Sequence, residues 1–131
     1  MRLAVDASVF VLAAEGDGGA VELMTSGAEL HAPDLVLLEV VNALRSLERA
    51  GALDAADVER AVAGLGQLAI RTHAHGPLLD GIWALRHNLS AYDASYLALA
   101  ELEDLTLVTA DSALAQVALA RLGPERVRLL A

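Results

Sequence analysis

Short runs of strand length alternate with helical segments along the whole chain, and this alternation limits the fold more than any other feature of the sequence. The strand-like runs fall at residues 2–6, 29–31, 69–72, 105–108 and 127–130. Between them the sequence predicts a helix over 8–14, stopped by Gly16, and another over 18–26, ended by Gly27. A long helix opens at Pro33 and Asp34 and runs to about residue 50, with Gly51 as its stop. Asp54 caps the next, which reaches about 68, and Pro77 starts one that ends near 87. Residues 88–90 read as a loop, 92–103 as a helix, and a last helix runs from 111 or 112 to 122, ended by Gly123 and Pro124. Strands separated by helices form a parallel sheet covered on both faces. The expected class is α/β with a central, mostly parallel five-stranded sheet. Such sheets place function at the carboxyl ends of their strands.

Length and composition narrow the possible activities. A chain of 131 residues fits one domain, read here as spanning 1–131. Its 56% apolar content supports a core of mostly Ala, Leu and Val, with one Trp, one Phe and two Tyr. The absence of cysteine excludes disulfides, zinc–thiolate sites and thiol nucleophiles, and suits a reducing cytoplasm. No run approaches the roughly 18 unbroken apolar residues of a membrane helix. Asp6, Glu15 and Asp17 interrupt the N-terminus too early for a signal peptide. The expectation is a cytoplasmic protein with no membrane contact. All nine basic residues are arginine, which excludes a lysine Schiff base or a P-loop lysine. The net charge of −9 opposes phosphate binding through the whole surface. With four acids assigned to an ion, 14 acids face 9 arginines, a balance of −5.

Four acids sit where acids are least expected. Asp6 ends Leu3-Ala4-Val5, and Glu39 is the one charge between Leu35 and Asn42. Asp93 opens an apolar run that closes at Ala100, and Asp111 follows Leu107-Val108-Thr109-Ala110. A buried carboxylate is costly unless it is paired or binds a cation. No arginine adjoins these acids in sequence, apart from Arg45 beyond Glu39. Isolated acids without a local base point to one shared partner, and oxygen-only ligands select Mg2+ or Mn2+ over zinc. Each acid also has an ordinary reading. Asp111 is a good helix cap, Asp93 suits a helix dipole, and Glu39 fits a narrow solvent face. Asp6, ending an apolar strand, faces the crevice. Glu39, Asn42 and Ser46 share one polar strip of their helix, so Asn42 is a candidate to orient Glu39 or a metal-bound water. The expectation is that the four carboxyl groups converge on one cation.

The segments Leu3-Ala4-Val5-Asp6-Ala7-Ser8, Leu38-Glu39-Val40-Val41-Asn42-Ala43-Leu44, Leu89-Ser90-Ala91-Tyr92-Asp93-Ala94-Ser95-Tyr96-Leu97-Ala98-Leu99-Ala100 and Leu107-Val108-Thr109-Ala110-Asp111 follow one another in an order and spacing that resemble the PIN-domain family. Within it, they resemble toxin ribonucleases of the VapC type from VapBC toxin–antitoxin systems. The resemblance covers nearly the whole chain. It implies a three-layer α/β/α sandwich and Mg2+-dependent endonucleolytic cleavage of RNA, with Mn2+ able to substitute. It also implies a homodimer and a cognate VapB-type antitoxin. The family's acidic quartet falls on Asp6, Glu39, Asp93 and Asp111, with Asp6 and Asp93 at the metal. Ser8 and Thr109 match polar positions of the same pocket. The low basic content departs from what an RNA substrate would favour.

The alternative is a catalytically silent member of the same fold that only binds RNA or protein; the intact quartet speaks against it. An aspartyl-phosphate enzyme would also end its first strand in an acid, but position 8 is Ser rather than a second acid, and a receiver's lysine is missing. The small size favours RNA over the DNA of a 5′ nuclease. Arg45, Arg86 and His87 are candidate phosphate contacts. His73 and His75 read as a surface loop, and Trp83 and Tyr96 as core. Apolar surface on 8–14, 18–26 and 35–50 reads as dimer surface.

Overall fold

The computed structural model describes residues 1–130. Strands β1 (Arg2–Val5), β2 (Glu29–Pro33), β3 (Ile70–His73), β4 (Thr106–Thr109) and β5 (Val127–Leu129) form one parallel sheet in the order β3-β2-β1-β4-β5. Around it run α1 (Ala7–Ala14), α2 (Gly18–Thr25), α3 (Val36–Arg49), α4 (Ala55–Gln67), α5 (Leu79–Ala84), α6 (Ala91–Leu102) and α7 (Ser112–Leu122). The chain winds from β1 through β2 to β3 at one edge, then crosses back to β4 and on to β5. Right-handed crossovers place α1 to α4 on one face and α5 to α7 on the other. The packing agrees: α1 lies against α2, α3 and α4, while α6 lies against α5, α7, β1, β2 and β4. The three-layer sandwich read from the sequence is the observed fold. β1 is the switch point, since its neighbours β2 and β4 leave it in opposite directions and open a crevice at the carboxyl ends.

The core follows from the apolar runs. Leu3, Ala4 and Val5 of β1 and Leu107 and Val108 of β4 are fully buried. Every residue of α6 from Ala94 to Ala100 is buried, so this helix is covered all round rather than on one stripe. α3 is the opposite case. It buries Val36, Val40 and Leu44 in one stripe and leaves Leu38 76% exposed.

Two boundaries differ from the sequence reading, with consequences for the site. β2 continues through Pro33, which stays in register with His73, so α3 begins at Val36 and not at Pro33. Glu39 therefore lies in the first turn of α3, at the carboxyl edge of the sheet, and not in mid-helix. The helix expected over 77–87 divides into a 3-10 turn at Gly76–Leu78 and α5, which stops at Ala84. The N–H of Leu85 bonds back only three residues, to the Ile82 carbonyl at 3.1 Å, which ends the α-helical pattern. α5 packs chiefly on α6, where a Cβ at Gly81 would meet the Ala98 Cβ at 3.0 Å. Trp83 is consequently not core. It is 67% exposed, with the Arg86 guanidinium 4.4 Å above its ring.

The histidines also differ from a plain surface loop. His73 belongs to β3, and its Nε2 lies 2.8 Å from Nδ1 of the buried His31, whose Nε2 lies 2.7 Å from the Glu29 carboxylate. His75, in the loop beyond, accepts the Leu35 N–H at 3.1 Å and so ties down the approach to α3. Among the described residues, no helix is long and apolar enough to cross a membrane.

Candidate active site

A cavity of about 470 Å³ opens at the crevice, and Asp6, Ser8, Glu39, Asp93, Tyr96 and Asp111 line it. The four acids, up to 105 positions apart in the chain, thus meet at one cavity, each carried by a different element. They do not close into a cage. Among the described residues, no group of three or more His, Cys, Asp or Glu side chains stands close enough to hold an ion together. Each acid is held instead by bonds of its own.

Asp6 occupies the N-cap position of α1, yet its side chain makes no capping bond. Asp17, Asp54, Ser90 and Asp111, at the same position of other helices, all do. The Asp6 carboxyl instead accepts the Ser8 hydroxyl at Oδ1 (2.5 Å) and the Thr109 hydroxyl at Oδ2 (2.9 Å). Both hydroxyls are held in turn: Ser8 Oγ accepts the Ala110 N–H at 2.9 Å, and Thr109 Oγ1 accepts the Asp111 N–H at 3.0 Å. Ser8 and Thr109 thus knit the ends of β1 and β4 around one carboxyl. Burial pushes Asp6 up to about 6. The two hydroxyl bonds oppose that rise, and the charges of Asp93 and Asp111 add to it.

Asp93 stands in the first turn of α6, but the capping is done by Ser90, which accepts the Asp93 N–H at 3.2 Å. Burial, then the charge of Asp111, hold the Asp93 carboxyl above its ordinary range. Asp111 has both of its readings at once. Its Oδ1 caps α7 through the N–H groups of Ala113 (2.9 Å) and Leu114 (3.3 Å), and the same residue lines the cavity. Glu39 Oε1 accepts the Tyr96 hydroxyl at 2.6 Å. Asn42 is exposed and lines an adjoining hollow with Leu35, Leu38, Glu39 and Tyr92, so the bond that orients Glu39 comes from Tyr96.

Two lining residues escaped the sequence reading. Tyr96 is core as expected, 1% exposed, but its hydroxyl belongs to the site. The signals were its place three residues after Asp93, on the same helix face, and the need of any buried phenol for a partner. Glu15, at the end of α1, is a fifth acid lining the cavity. It lies seven residues, two helical turns, beyond Ser8 and so on the same face.

Thr109 offers a direct test of this arrangement. Thr109→Val leaves the Asp6 carboxyl and the Asp111 N–H each short of a partner in a buried place, so stability should fall by about 2 kcal/mol at neutral pH. Urea unfolding measures it; an unchanged midpoint would mean that the hydroxyl holds neither group.

A parallel α/β/α sandwich with acids gathered at its switch point defines the class, and the PIN domain model matches residues 3–120: this chain belongs to the PIN-domain family. Within the family it is similar to Ribonuclease VapC9 of Mycobacterium tuberculosis (strain ATCC 25618 / H37Rv), with 44% identity over 109 residues, 83% of this chain and 85% of that protein. It is also similar to Ribonuclease VapC3 of the same strain, 39% identical over 118 residues, 88% of this chain and 86% of that protein. Among solved structures, PAE2754 from Pyrobaculum aerophilum matches with a TM-score of 0.71 and 25% identity, over 98% of this chain and 84% of that one. The VapC-type resemblance carried by the four acid-bearing segments is therefore sound.

Proposed function

We propose that this protein is an Mg2+-dependent endoribonuclease, the toxin of a type II VapBC toxin–antitoxin system. The observation that carries the reading is Asp6: a carboxyl withdrawn from helix capping, buried, clamped by two hydroxyls, and facing other acids across one cavity. Relatives covering more than four-fifths of the chain are named ribonucleases, which supports RNA as the substrate.

The donor set fits a hydrated divalent cation. It is all oxygen, no arginine or histidine among the described residues lines the cavity, and a cation would relieve the desolvation and repulsion that raise Asp6 and Asp93. Mg2+ keeps several waters and needs only one or two carboxylates, so it does not require the closed trio of acids that is absent among the described residues. Asp6 and Asp93 would hold the ion, with Glu39 and Asp111 toward its waters; Mn2+ has the same ligand preference. Bound there, the ion supplies Lewis acidity toward a phosphate and lowers the pKa of a bound water. The chain supplies the rest. Ser8 and Thr109 keep the Asp6 carboxyl in place, and a carboxylate of the quartet takes the proton of the attacking water. Arg45 makes no ion pair among the described residues, and Arg86 is held over Trp83 and by the Trp83 carbonyl; these two, with His87 beside Arg86, are the candidate phosphate contacts outside the cavity.

The protein acts in the cytoplasm as a homodimer and is silenced by a VapB-type antitoxin. α1 and α2 sink Val9, Phe10, Ala20 and Leu23 into the core but leave Val21 exposed, and it joins the exposed Leu37, Leu38 and Val41 of α3 as the apolar surface for the dimer.

Incubation of RNA with the purified protein tests the reading. Cleavage should require Mg2+, stop with EDTA, and fall by about 100-fold or more in Asp93→Ala. RNA that is bound but left whole by wild-type protein with Mg2+ would replace the nuclease with the silent binding module.

A further inference from the structure

We infer that Tyr96 is a positioning residue for the proposed reaction: its hydroxyl, donated to Glu39 Oε1, fixes the Glu39 carboxylate against the cavity. The inference rests on the reading of this cavity as a divalent-cation site. The phenol is 1% exposed and its oxygen lies 2.6 Å from Glu39 Oε1. The two residues come from α6 and α3, helices on opposite faces of the sheet, so the bond joins the outer layers beside the end of β1. Asp6, which follows that strand, stands near enough for its charge to act on the phenol. Tyr96 also follows Asp93 by three residues on α6, so both side chains leave one helix face. A single buried helix thereby sets Asp93 directly and Glu39 through the phenol.

Glu39 has need of such a tether. Its neighbours Leu38 and Asn42 are exposed, and among the described residues no other side chain bonds its carboxylate. A glutamate left free samples several rotamers, and ordering it at the moment of binding costs entropy. With Oε1 held by Tyr96, Oε2 has no partner among the described residues and is left for the cavity. The phenol does not act by exchanging its proton. Burial, followed by Glu39 and Asp6, holds it above the ordinary tyrosine range, which itself lies well above neutral pH. Its effect is on geometry, not on proton transfer.

Tyr96→Phe keeps the buried ring and removes the hydroxyl. Calorimetric titration without RNA should show Mg2+ binding weakened about 10-fold, the scale found when a partner of a metal-binding side chain is removed. The kcat for RNA should fall by a similar factor while KM stays within about 2-fold. A packing role alone would lower the melting temperature and leave Mg2+ affinity where it was. In a Glu39→Gln background, Tyr96→Phe should add less than about a 2-fold further loss, because the two act as one unit. Wild-type protein that binds no Mg2+ overturns the reading of the cavity and this inference with it. Wild-type protein that binds Mg2+ beside a folded Tyr96→Phe that binds equally well overturns the inference alone. The wild type can also be asked directly, since the chain has only two tyrosines. With 13C-labelled rings, the Tyr96 signal should move on Mg2+ addition with the calorimetric midpoint, and a signal that does not move overturns the inference even if the variant fails to fold.

Discussion

Asp6→Asn should cut RNA about 100- to 1,000-fold more slowly than the wild type and, without metal at neutral pH, should melt about 5 °C higher. The two effects have one cause. A neutral amide cannot do what a carboxylate does beside a cation, so activity goes. The same carboxylate is a burden on the fold when no cation is present. Its pKa is pushed from 3.8 to about 6, which makes its ionised form cost roughly 3 kcal/mol at pH 7.5. Asparagine removes that charge. It keeps one oxygen for Ser8 or Thr109 and gives up about 1 kcal/mol with the other bond. The balance favours the variant. Cleavage at the wild-type rate would contradict the role of Asp6, and a melting temperature several degrees lower would contradict the account of its burial.

The second large effect is on pH. Metal-free protein should be more stable at pH 5 than at pH 7.5 by about 1 to 2 kcal/mol, or about 5 °C. The folded state holds the Asp6 proton to about pH 6, whereas the unfolded chain releases it near 3.8. Stability from the neutral carboxyl is therefore full below the unfolded value and is lost as pH rises through 6. Asp93, also raised, acts in the same direction. Glu29 acts in the opposite direction, since the hydrogen bond from His31 depresses it. Its contribution is present above 4.5 and lost as pH falls below that, outside the window used here. Asp6→Asn serves as the reference, because it keeps every histidine and lacks only this carboxyl. Mg2+ at 100 times its Kd should add about 2.7 kcal/mol at pH 7.5 and less at pH 5, where Asp6 is protonated. Melting curves at the two pH values, with and without Mg2+, measure all of this. A wild type that loses stability toward pH 5 relative to Asp6→Asn would contradict it.

Much of the fold was legible because its strands are written as apolar runs. Leu3-Ala4-Val5 and Leu107-Val108 are buried on both sides of a parallel sheet and need no alternation. The end of β2 was not legible. Proline reads as a helix opener, and only pairing across to His73, 40 residues away, keeps Pro33 in the strand. That shift moves Glu39 to the carboxyl edge. Trp83 misled for a similar reason: its residue type favours the core, but α5 ends at Ala84 and packs chiefly on another helix, leaving that face to solvent. At the site, the four acids stood out because each interrupts an apolar segment. Their bonds did not stand out. Capping by Asp111 was readable locally, whereas the Tyr96–Glu39 bond spans 57 residues and exists only once α3 and α6 lie on either side of β1. Ser8 and Thr109 entered through the family resemblance, and the structure supplies their physical task, holding Asp6 where a cap would have turned it away.

The most direct measurement is the sequencing of RNA ends after induced expression of the wild type and of Asp6→Asn in the same cells. A defined set of cuts present with the wild type and missing with the variant is the predicted result. Identical end profiles in the two cultures would contradict the assignment of RNA cleavage to this cluster of acids.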